Sequence, residues 1–347
     1  MKPFHLLFII TLIFSSCSLK DSHRGNYNIT FTITSANRGI QKFSAETASD
    51  IFHRRLLLYG LKEKQMSITG NGTTITIELT RVDDTLWLKN LIEAQGQLEL
   101  RETYSNLEFF NTLSAINASL ARHNLPAEKN NPVNPLGTGV PTSLPTDSTP
   151  AAELKQNETE DPKESNPLLN KLNAAVELKD NHYHLRSGAE IGYCLTTDTA
   201  EVMQMLTRDS VKALIPFHVQ FHWSLNPNFP ADSHSLYALN YDSAGTPFMS
   251  GAIVKQANLD YNAEGKPQIS IVFNDIGTKE FYLMTKRNID KNIAILIDGD
   301  VVSAPRVIGE VKGGRASITG GDENELRILC AILQSGFFSH KTIMKVH

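Results

Sequence analysis

Four histidines are the residues of this sequence that come nearest to a metal-ligand pattern. His182 and His184 alternate along one predicted strand, and His218 and His222 share a face of another. Imidazole nitrogens at such spacings are frequent zinc ligands. No cysteine or acidic residue stands where it would complete a tetrahedral set, and polar surface positions explain the same pattern. The sequence therefore favours a chain without a metal, and a metal-dependent envelope enzyme is the least favoured alternative.

Two acidic residues, Asp298 and Asp300, flank Gly299 between two apolar runs rich in β-branched residues. Asp-Gly between such runs is a strong signal for a two-residue hairpin, because a type I′ turn needs positive φ at both central positions. We therefore assign the two carboxylates to turn formation and not to an acid–base pair.

The glycine pairs also lack the context of a ligand site. Gly313-Gly314 and Gly320-Gly321 do not stand between a strand and a helix, as a phosphate-binding loop requires. The chain has none of the common hydrolase or zinc-protease motifs, and no nucleophile has an evident base nearby. We expect no catalytic residues, no cofactor and no enzymatic activity.

An aromatic stretch offers a candidate for binding. Phe217, Phe221 and Trp223 fall within a few residues of one another in the middle of the chain. Most side chains of such a stretch belong to a core, and any that remain exposed would form a binding surface. An apolar groove or a free sheet edge there would bind extended polypeptide by strand addition, because backbone hydrogen bonds tolerate many sequences.

Composition is that of an ordinary globular protein. The 347 residues are 41% hydrophobic and 20% charged, with a formal net charge of −4. This length suggests roughly two domains of about 100–200 residues. No run of lysine and arginine occurs, so the sequence gives no indication of nucleic-acid binding.

The N-terminus predicts a secreted chain with a lipid anchor. Lys2 precedes an apolar run over residues 4–14, which is too short to cross a bilayer core of about 30 Å, and small residues lead into Cys17. This arrangement resembles a bacterial lipobox. We expect a signal peptide at residues 1–16, lipidation of Cys17 and a tether over residues 17–26; a plain secretory signal peptide is the alternative. No later window is apolar enough for a transmembrane helix.

Two further cysteines remain, Cys194 and Cys330. In an oxidising envelope they can pair, and they fit equally well as small buried apolar residues.

Residues 27–123 have the pattern of the first half of a base. The element order is β-α-β-β-α-β, which is the ferredoxin-like arrangement. The predicted elements are strands at 28–35, 65–68, 74–79 and 97–102, and helices that begin at Ser44 and at Asp83-Asp84. Strand 97–102 is expected to close this unit.

Residues 266–347 repeat this order as a second half of the base. The predicted elements are strands at 268–273, 293–297, 301–303, 315–319 and 342–346, and helices at 277–287 and from Asp322 to Gly336. Asp322 and Glu325 have capping-box spacing, and Leu326, Leu329, Cys330 and Leu333 share one helical face. The predicted fold is α+β, with a pseudo-symmetric ferredoxin-like base built from N- and C-terminal segments.

Two segments separate these halves. Residues 124–170 are rich in Pro, Asn, Ser, Thr and Glu, which indicates a disordered loop. Residues 171–265 have mixed helix and strand signals and are expected to form an inserted α+β head subdomain.

The hairpin segment Ala294–Pro305, followed by residues 313–320, resembles the signature of the first periplasmic domain of SecD, the accessory subunit of the bacterial protein-export channel. Further similar segments lie, in the family's order, at residues 47–61, 75–79, 96–101, 236–239, 251–257, 265–274, 277–281 and 285–288. The loop and residues 166–169 look most like the SecD of Bacteroidetes-type bacteria. The family-signature positions are Asp298, Gly299, Ser303, Ala304, Pro305, Gly313, Gly314 and Gly320.

The departures from SecD are also informative. In that family two membrane helices flank the domain, whereas here a lipobox precedes it and the sequence stops at His347. A proton-driven transporter needs ionisable groups inside the membrane. We therefore expect a domain that is not itself a proton-driven motor.

Two functions remain as alternatives. The resemblance implies a periplasmic lipoprotein, anchored to an envelope membrane, that assists protein export by binding emerging polypeptide or components of the Sec translocon. The other is a structural or adaptor lipoprotein of the envelope that retains the fold without a transport role, because a fold alone does not determine function.

Overall fold

The structure, a computed structural model, describes residues 27–35, 45–71, 74–82, 86–124, 166–179, 182–225, 232–241, 253–338 and 342–346. The expected signal peptide, Cys17, the tether and residues 125–165 of the expected loop lie outside this part of the chain. Within the described ranges, no helix is both long enough and apolar enough to span a membrane.

The first sheet joins the two ends of the chain. Its four antiparallel strands lie in the order β16-β1-β3-β2. The elements of this layer are β1 (Tyr27–Ser35), α1 (Ala45–Tyr59), β2 (Met66–Asn71), β3 (Thr74–Val82), α2 (Leu86–Glu93) and β16 (Thr342–Val346). Alternate residues of β3, Ile75, Ile77 and Leu79, are fully buried and pack in one cluster with Phe52 and Leu56 of α1. Because successive side chains of a strand point to opposite faces, the alternate apolar residues of β3 all lie in the core of this layer.

The expected closing strand lies elsewhere. β4 (Leu98–Glu102) does not join the first sheet, so the expectation that it closes the N-terminal unit is wrong. It pairs with β13 (Ile293–Ile297), whose other edge pairs with β14 (Asp300–Ser303). All five residues of β13 are buried, and a buried strand needs hydrogen-bonding partners on both edges because water does not reach its backbone. The C-terminal β16 completes the first sheet instead, so N- and C-terminal segments together build the base, and the α+β class is confirmed.

A second three-stranded sheet has the order β11-β12-β15. Its elements and the helices beside it are β11 (Val254–Tyr261), β12 (Pro267–Phe273), α6 (Asp275–Arg287), β15 (Arg315–Thr319) and α7 (Glu323–Ser335). The predicted capping box of α7 is confirmed: Glu325 N–H donates to Asp322 at 2.8 Å, and Asp322 N–H donates to Glu325 at 3.0 Å.

Helix α7 belongs to two cores. The predicted face with Leu326 and Leu329 packs against β12 and β13 residues, whereas Ile328 and Ile332 pack with α1 and α2. Because one helix covers both clusters, the two parts of the base share a buried element.

The middle of the chain forms a separate layer with a four-stranded sheet, β5-β8-β10-β9, and a two-stranded β6-β7 sheet. Its elements are α3 (Asn106–Asn124), β5 (Asn173–Ala174), β6 (Val176–Lys179), β7 (His182–Leu185), β8 (Glu190–Leu195), α4 (Thr199–Leu206), α5 (Asp209–Lys212), β9 (Val219–Trp223) and β10 (Ser233–Asn240). We call this layer the head.

Helix α3 is absent from the elements expected for the first half of the base, and it packs in the head. Phe109 and Leu113 of α3 are buried in the same cluster as Leu168. Asn117 fixes this contact, because its side-chain oxygen accepts the backbone N–H groups of Leu168 and Leu169 at 3.1 and 3.2 Å. The last residues of the expected disordered loop are therefore ordered against α3.

The two described cysteines are free and buried in different clusters. Burial raises the pKa of the Cys194 thiol to about 11. Of the two alternatives, the structure shows small buried side chains and not a disulfide.

One buried cation joins α1, α2 and α7. Arg55 is fully buried, and its guanidinium donates to the carbonyls of Leu91, Ala94 and Gln95 and to the hydroxyl of Ser335, at 2.5 to 3.1 Å. These acceptors include carbonyls at the C-terminal end of α2, which have no partner within their own helix. Burial lowers the pKa of Arg55 to about 10, with the charge of Asp298 acting in the opposite direction.

We predict that Arg55→Met lowers the free energy of unfolding by about 2–4 kcal/mol, because the buried carbonyls lose their donor. The neighbouring Arg54→Met is a matched control: Arg54 is exposed and makes one long bond of 3.4 Å to Ser335. The control is expected to stay within about 0.5 kcal/mol of wild type in urea unfolding followed by circular dichroism. Equal losses in the two variants would contradict the role of Arg55.

Candidate functional site

The turn at Asp298 and Gly299 has the predicted geometry. Both residues have positive φ, 55° and 93°, as a type I′ turn requires. The Asp298 carboxylate accepts three consecutive backbone N–H groups, from Gln95 at 2.8 Å, Gly96 at 3.1 Å and Gln97 at 2.8 Å. This carboxylate therefore joins the hairpin to the segment between α2 and β4, a role that the turn pattern does not reveal.

The other acidic residue of the turn is in a different situation. No described residue donates a hydrogen bond to the Asp300 carboxylate. Burial and, to a lesser degree, the charge of Asp298 raise the pKa of Asp300. The two carboxylates of the signature therefore differ: three backbone donors hold Asp298, whereas Asp300 is exposed at the start of β14 and lines a pocket with Leu225 and Ile328.

The next signature residues extend the hairpin. Ser303 ends β14 and pairs with Ile295. The carbonyl of Ala304 accepts the side-chain amide of Asn292 at 2.6 Å, and that of Pro305 accepts the N–H of Ile293 at 3.1 Å. These contacts hold the segment after β14 against the start of β13.

The signature glycines lie in the loop between β14 and β15 and just after β15. Gly314 is required by packing, because a Cβ atom there would lie 2.0 Å from the Thr278 hydroxyl. Its carbonyl accepts the N–H of Phe273 at 2.9 Å. A Cβ atom added to Gly313 or to Gly320 would have no other atom within 4 Å, so packing does not require glycine at these two positions. Close backbone packing on α6 accounts for Gly314, and none of the three begins a helix.

His222 connects the head to the hairpin. Its Nδ1 lies 2.6 Å from the carbonyl oxygen of Gly299, and its Nε2 lies 2.8 Å from the hydroxyl of Tyr241. The Arg101 guanidinium lies 3.5 Å from the centroid of the Tyr241 ring and is paired with Glu99 at 2.9 Å. Both ring nitrogens of His222 are thus engaged by protein groups.

The four histidines are not brought together in one site. His184 is exposed on β7, in the two-stranded sheet, whereas His222 lies in the four-stranded sheet. His218 directly precedes β9, and the side chain of His182 is outside the described set. Among the described residues, no three His, Cys, Asp or Glu side chains form a group suited to a metal ion.

The aromatic stretch divides between core and surface. Phe221 and Trp223 are half-buried against the head cluster, and Phe221 packs edge-on against Phe109 with ring centroids 5.6 Å apart. Phe217 is 83% exposed. It stands on one wall of a groove with a cavity volume of about 480 Å³. Apolar residues that line this groove include Met203, Leu206, Ile215, Pro216, Val219 and Phe221.

One long side of the groove is formed by β9, which is an edge strand. Gln220 and His222 are paired with Leu239 and Tyr237 of β10. The N–H of Tyr241 donates to the backbone carbonyl of His218, and the N–H of Ser224 donates to the backbone carbonyl of Ser235. Because hydrogen-bonded positions alternate along an antiparallel strand, the even-numbered residues of β9 are the ones whose backbone bonds to β10. The peptide groups of Val219 and Phe221 therefore face away from β10, as alternation requires. Beyond them, Ser224 forms a parallel bridge to Val301 of β14.

Most of the residues that match a known family model lie in β11 to α7, outside the layer called the head above. Residues 231–339, which run from just before β10 to just after α7, match the family model of the SecDF P1 head subdomain. SecD of Rhodothermus marinus is 25% identical over 301 residues, which cover 83% of this chain and 44% of that protein. SecD of Acidaminococcus fermentans is 38% identical over 96 residues, 27% of this chain and 23% of that protein. This chain is therefore similar to SecD over most of its length, and residues 231–339 match the SecDF P1 head subdomain.

The aligned part of this chain spans less than half the length of these curated relatives. Two solved structures also align with most of the chain. SecDF in a super-membrane-facing form has a TM-score of 0.47 at 16% identity, covering 92% of this chain and 30% of that one. A structure of SecDF, a membrane component that enhances protein export, has a TM-score of 0.46 at 18% identity, covering 91% and 97%.

We predict that Asp298→Ala lowers the free energy of unfolding by about 2–3 kcal/mol more than Asp290→Ala, because three backbone N–H groups lose a charged acceptor. Asp290 is a matched control: its φ is 67°, and its carboxylate makes only an exposed ion pair with Arg306 at 2.9 Å. Asp298→Asn, which keeps one acceptor oxygen, should lie between the two in urea unfolding. Similar losses at Asp298 and Asp290 would assign the effect to backbone conformation alone.

We also predict that His222 makes stability depend on pH. Burial lowers the pKa of His222 below its ordinary value of 6.5, so the unfolded chain takes up this proton at a higher pH than the folded chain. The stabilisation is therefore present above pH 6.5 and is lost as the pH falls below it. Between about pH 7.5 and 5, wild type should lose stability more steeply than His222→Gln, by at most about 1.4 kcal/mol per pH unit. Parallel pH profiles in urea unfolding would contradict this.

Proposed function

We propose that this chain is a SecD-like periplasmic lipoprotein that assists protein export by binding emerging, extended polypeptide, and that it does so without itself being driven by protons. Partners in the Sec translocon are part of the proposal, since the relatives are named protein translocase subunits SecD and SecDF. Anchoring through Cys17 rests on the lipobox pattern. Loss of the membrane-bound fraction in Cys17→Ser, measured by fractionation, tests that part by itself.

The observation that carries the proposal is the open edge of β9 beside an apolar groove. The peptide group of Phe221 and the carbonyl of Val219 face this edge, whereas the N–H of Val219 donates to the carbonyl of Pro216 at 2.9 Å. The exposed ring of Phe217 lines the same groove. An extended chain laid there would satisfy its backbone by strand addition and bury apolar side chains in the groove. Such a site selects an extended backbone and accepts many sequences, as a protein that holds unfolded clients requires.

We predict that wild type suppresses the aggregation of an envelope protein diluted from urea, as followed by light scattering, and that Phe217→Ser weakens this activity. Removing one exposed aromatic contact is expected to cost about 1 kcal/mol of binding, or roughly fivefold in the concentration needed. Ile308→Ser is the matched control, because Ile308 is 90% exposed and lies in the loop after β14, outside the groove. Equal suppression by the two variants would place client binding elsewhere.

A cross-linking experiment on native membranes separates the two functions. Affinity isolation of the wild-type protein should recover channel subunits or many unrelated exported proteins, and Phe217→Ser should recover fewer of the exported proteins. Recovery of one unrelated folded envelope partner by both forms, with no aggregation suppression, would instead support the adaptor function.

A further inference from the structure

A second cavity lies between α2, α7 and the turn that joins β13 to β14, separate from the groove beside β9. Its volume is about 350 Å³, which is within the range of ligand sites in proteins. Residues of these three elements line it, together with Leu225, which follows β9. The functions considered so far leave this cavity unused.

The apolar lining residues form a buried floor. Ile297, Ile328, Leu329 and Ile332 are at most 7% exposed, and Leu225 is half-buried. A leucine-sized side chain that entered the cavity would leave water and gain these apolar neighbours. The floor therefore selects an apolar group.

The charged lining residues all have the same sign. They are Glu93, Asp298, Asp300 and Glu325, and each is exposed or half-buried, so that carboxylates surround the mouth of the cavity above its apolar floor. None of the described residues that line the cavity is a lysine, an arginine or a histidine. Complementary charge steers a partner and excludes a wrong one. The mouth therefore favours a ligand that carries cations and disfavours one that carries anions.

The fold itself balances these charges incompletely. Asp298 accepts three backbone N–H groups, and the Glu325 carboxylate accepts the N–H of Asp322. No described residue donates a hydrogen bond to Asp300. Loss of water around its carboxylate and the charge of Asp298 raise the pKa of Asp300, and His234 opposes this only in part. A cation beside Asp300 would relieve this repulsion.

The carboxylates are not arranged for a metal ion. Among the described residues, no three His, Cys, Asp or Glu side chains form a group that could hold one. Carboxylates that are spread around an apolar floor instead match a ligand with an apolar centre and cationic groups on either side of it. A protein segment with one apolar side chain between lysines or arginines has this chemistry.

We propose that this cavity is a docking site for a protein partner that presents one apolar side chain between lysine or arginine residues. The apolar side chain enters between α2 and α7, and the flanking cations lie beside Glu93 and Asp300. The site is separate from the groove, so it does not depend on client binding there. The signature turn, which supplies Asp300, would thus belong to a partner interface.

Three labelled peptides test this with the full chain, by fluorescence anisotropy at low salt. The first has one leucine between lysines in a frame of glycine and serine. The second has serine in place of the leucine and keeps the lysines. The third keeps the leucine and has glutamates in place of the lysines. The first should bind about tenfold more tightly than the second, because the leucine is buried, and about tenfold more tightly than the third, a preference that should fall as salt is added.

Two double variants of the full chain locate the binding site. Glu93→Gln with Asp300→Asn removes two carboxylates from the mouth of the cavity and should weaken the first peptide about three- to tenfold. Glu46→Gln with Asp50→Asn removes two exposed carboxylates from α1, which do not line the cavity. This matched control changes the net charge equally and should bind the first peptide as wild type does. Equal weakening by both double variants would overturn the assignment to the cavity.

Further outcomes would overturn the inference in distinguishable ways. Equal affinity for the leucine and serine peptides would leave an acidic surface without an apolar site. Release of the first peptide by Ca²⁺, but not by NaCl of the same ionic strength, would indicate a metal site instead. Loss of the first peptide in Phe217→Ser, with the cavity variant unaffected, would place the peptide in the groove and support the proposed function alone. No binding of the first peptide to wild type would overturn this inference and leave the aggregation test of the groove as it stands.

Discussion

Strand β13 is buried along its whole length, and the arrangement of the chain around it follows from the need to pair both of its edges. One edge takes β14, its neighbour in sequence, and the other takes β4, which comes from nearly two hundred positions earlier. The Asp298 carboxylate holds this long-range pairing in register, because it bonds to the backbone just before β4. The same turn then contacts His222 through the carbonyl of Gly299, so the head is positioned by the element that closes the base.

Local patterns in the sequence predicted local structure well. The Asp-Gly turn, the capping box of α7 and the alternation of β12 each depend on residues within one or two turns of chain. The buried face of α7 was also predictable, although Ile328 and Ile332 on its opposite side are buried too. The apolar stripe that the sequence analysis used identifies one packed face of the helix. A helix shared by two cores has a second packed face, which that stripe does not include.

Long-range features were not predictable in this way. The alternation of residues 97–102 identifies a strand but not its partner, so the exchange between β4 and β16 was missed. Arg55 gave no signal, because an arginine that bonds to helix carbonyls looks like any surface arginine in sequence. The groove was indicated only by its aromatic residues. Which of them is exposed depends on how α4 and α5 pack beside β9, and Phe217 is the one left uncovered.

The position of β16 beside β1 has a consequence for synthesis. The first sheet cannot be completed until residues 342–346 have been made, although β1 is among the earliest residues of the described chain. Contacts between such distant segments form slowly, since the loop between them must close first. During translation, β1 therefore lacks this edge partner until residues 342–346 have been made. The four-stranded form of the first sheet is therefore reached only after β16 has been made, whereas the other sheets do not include this strand.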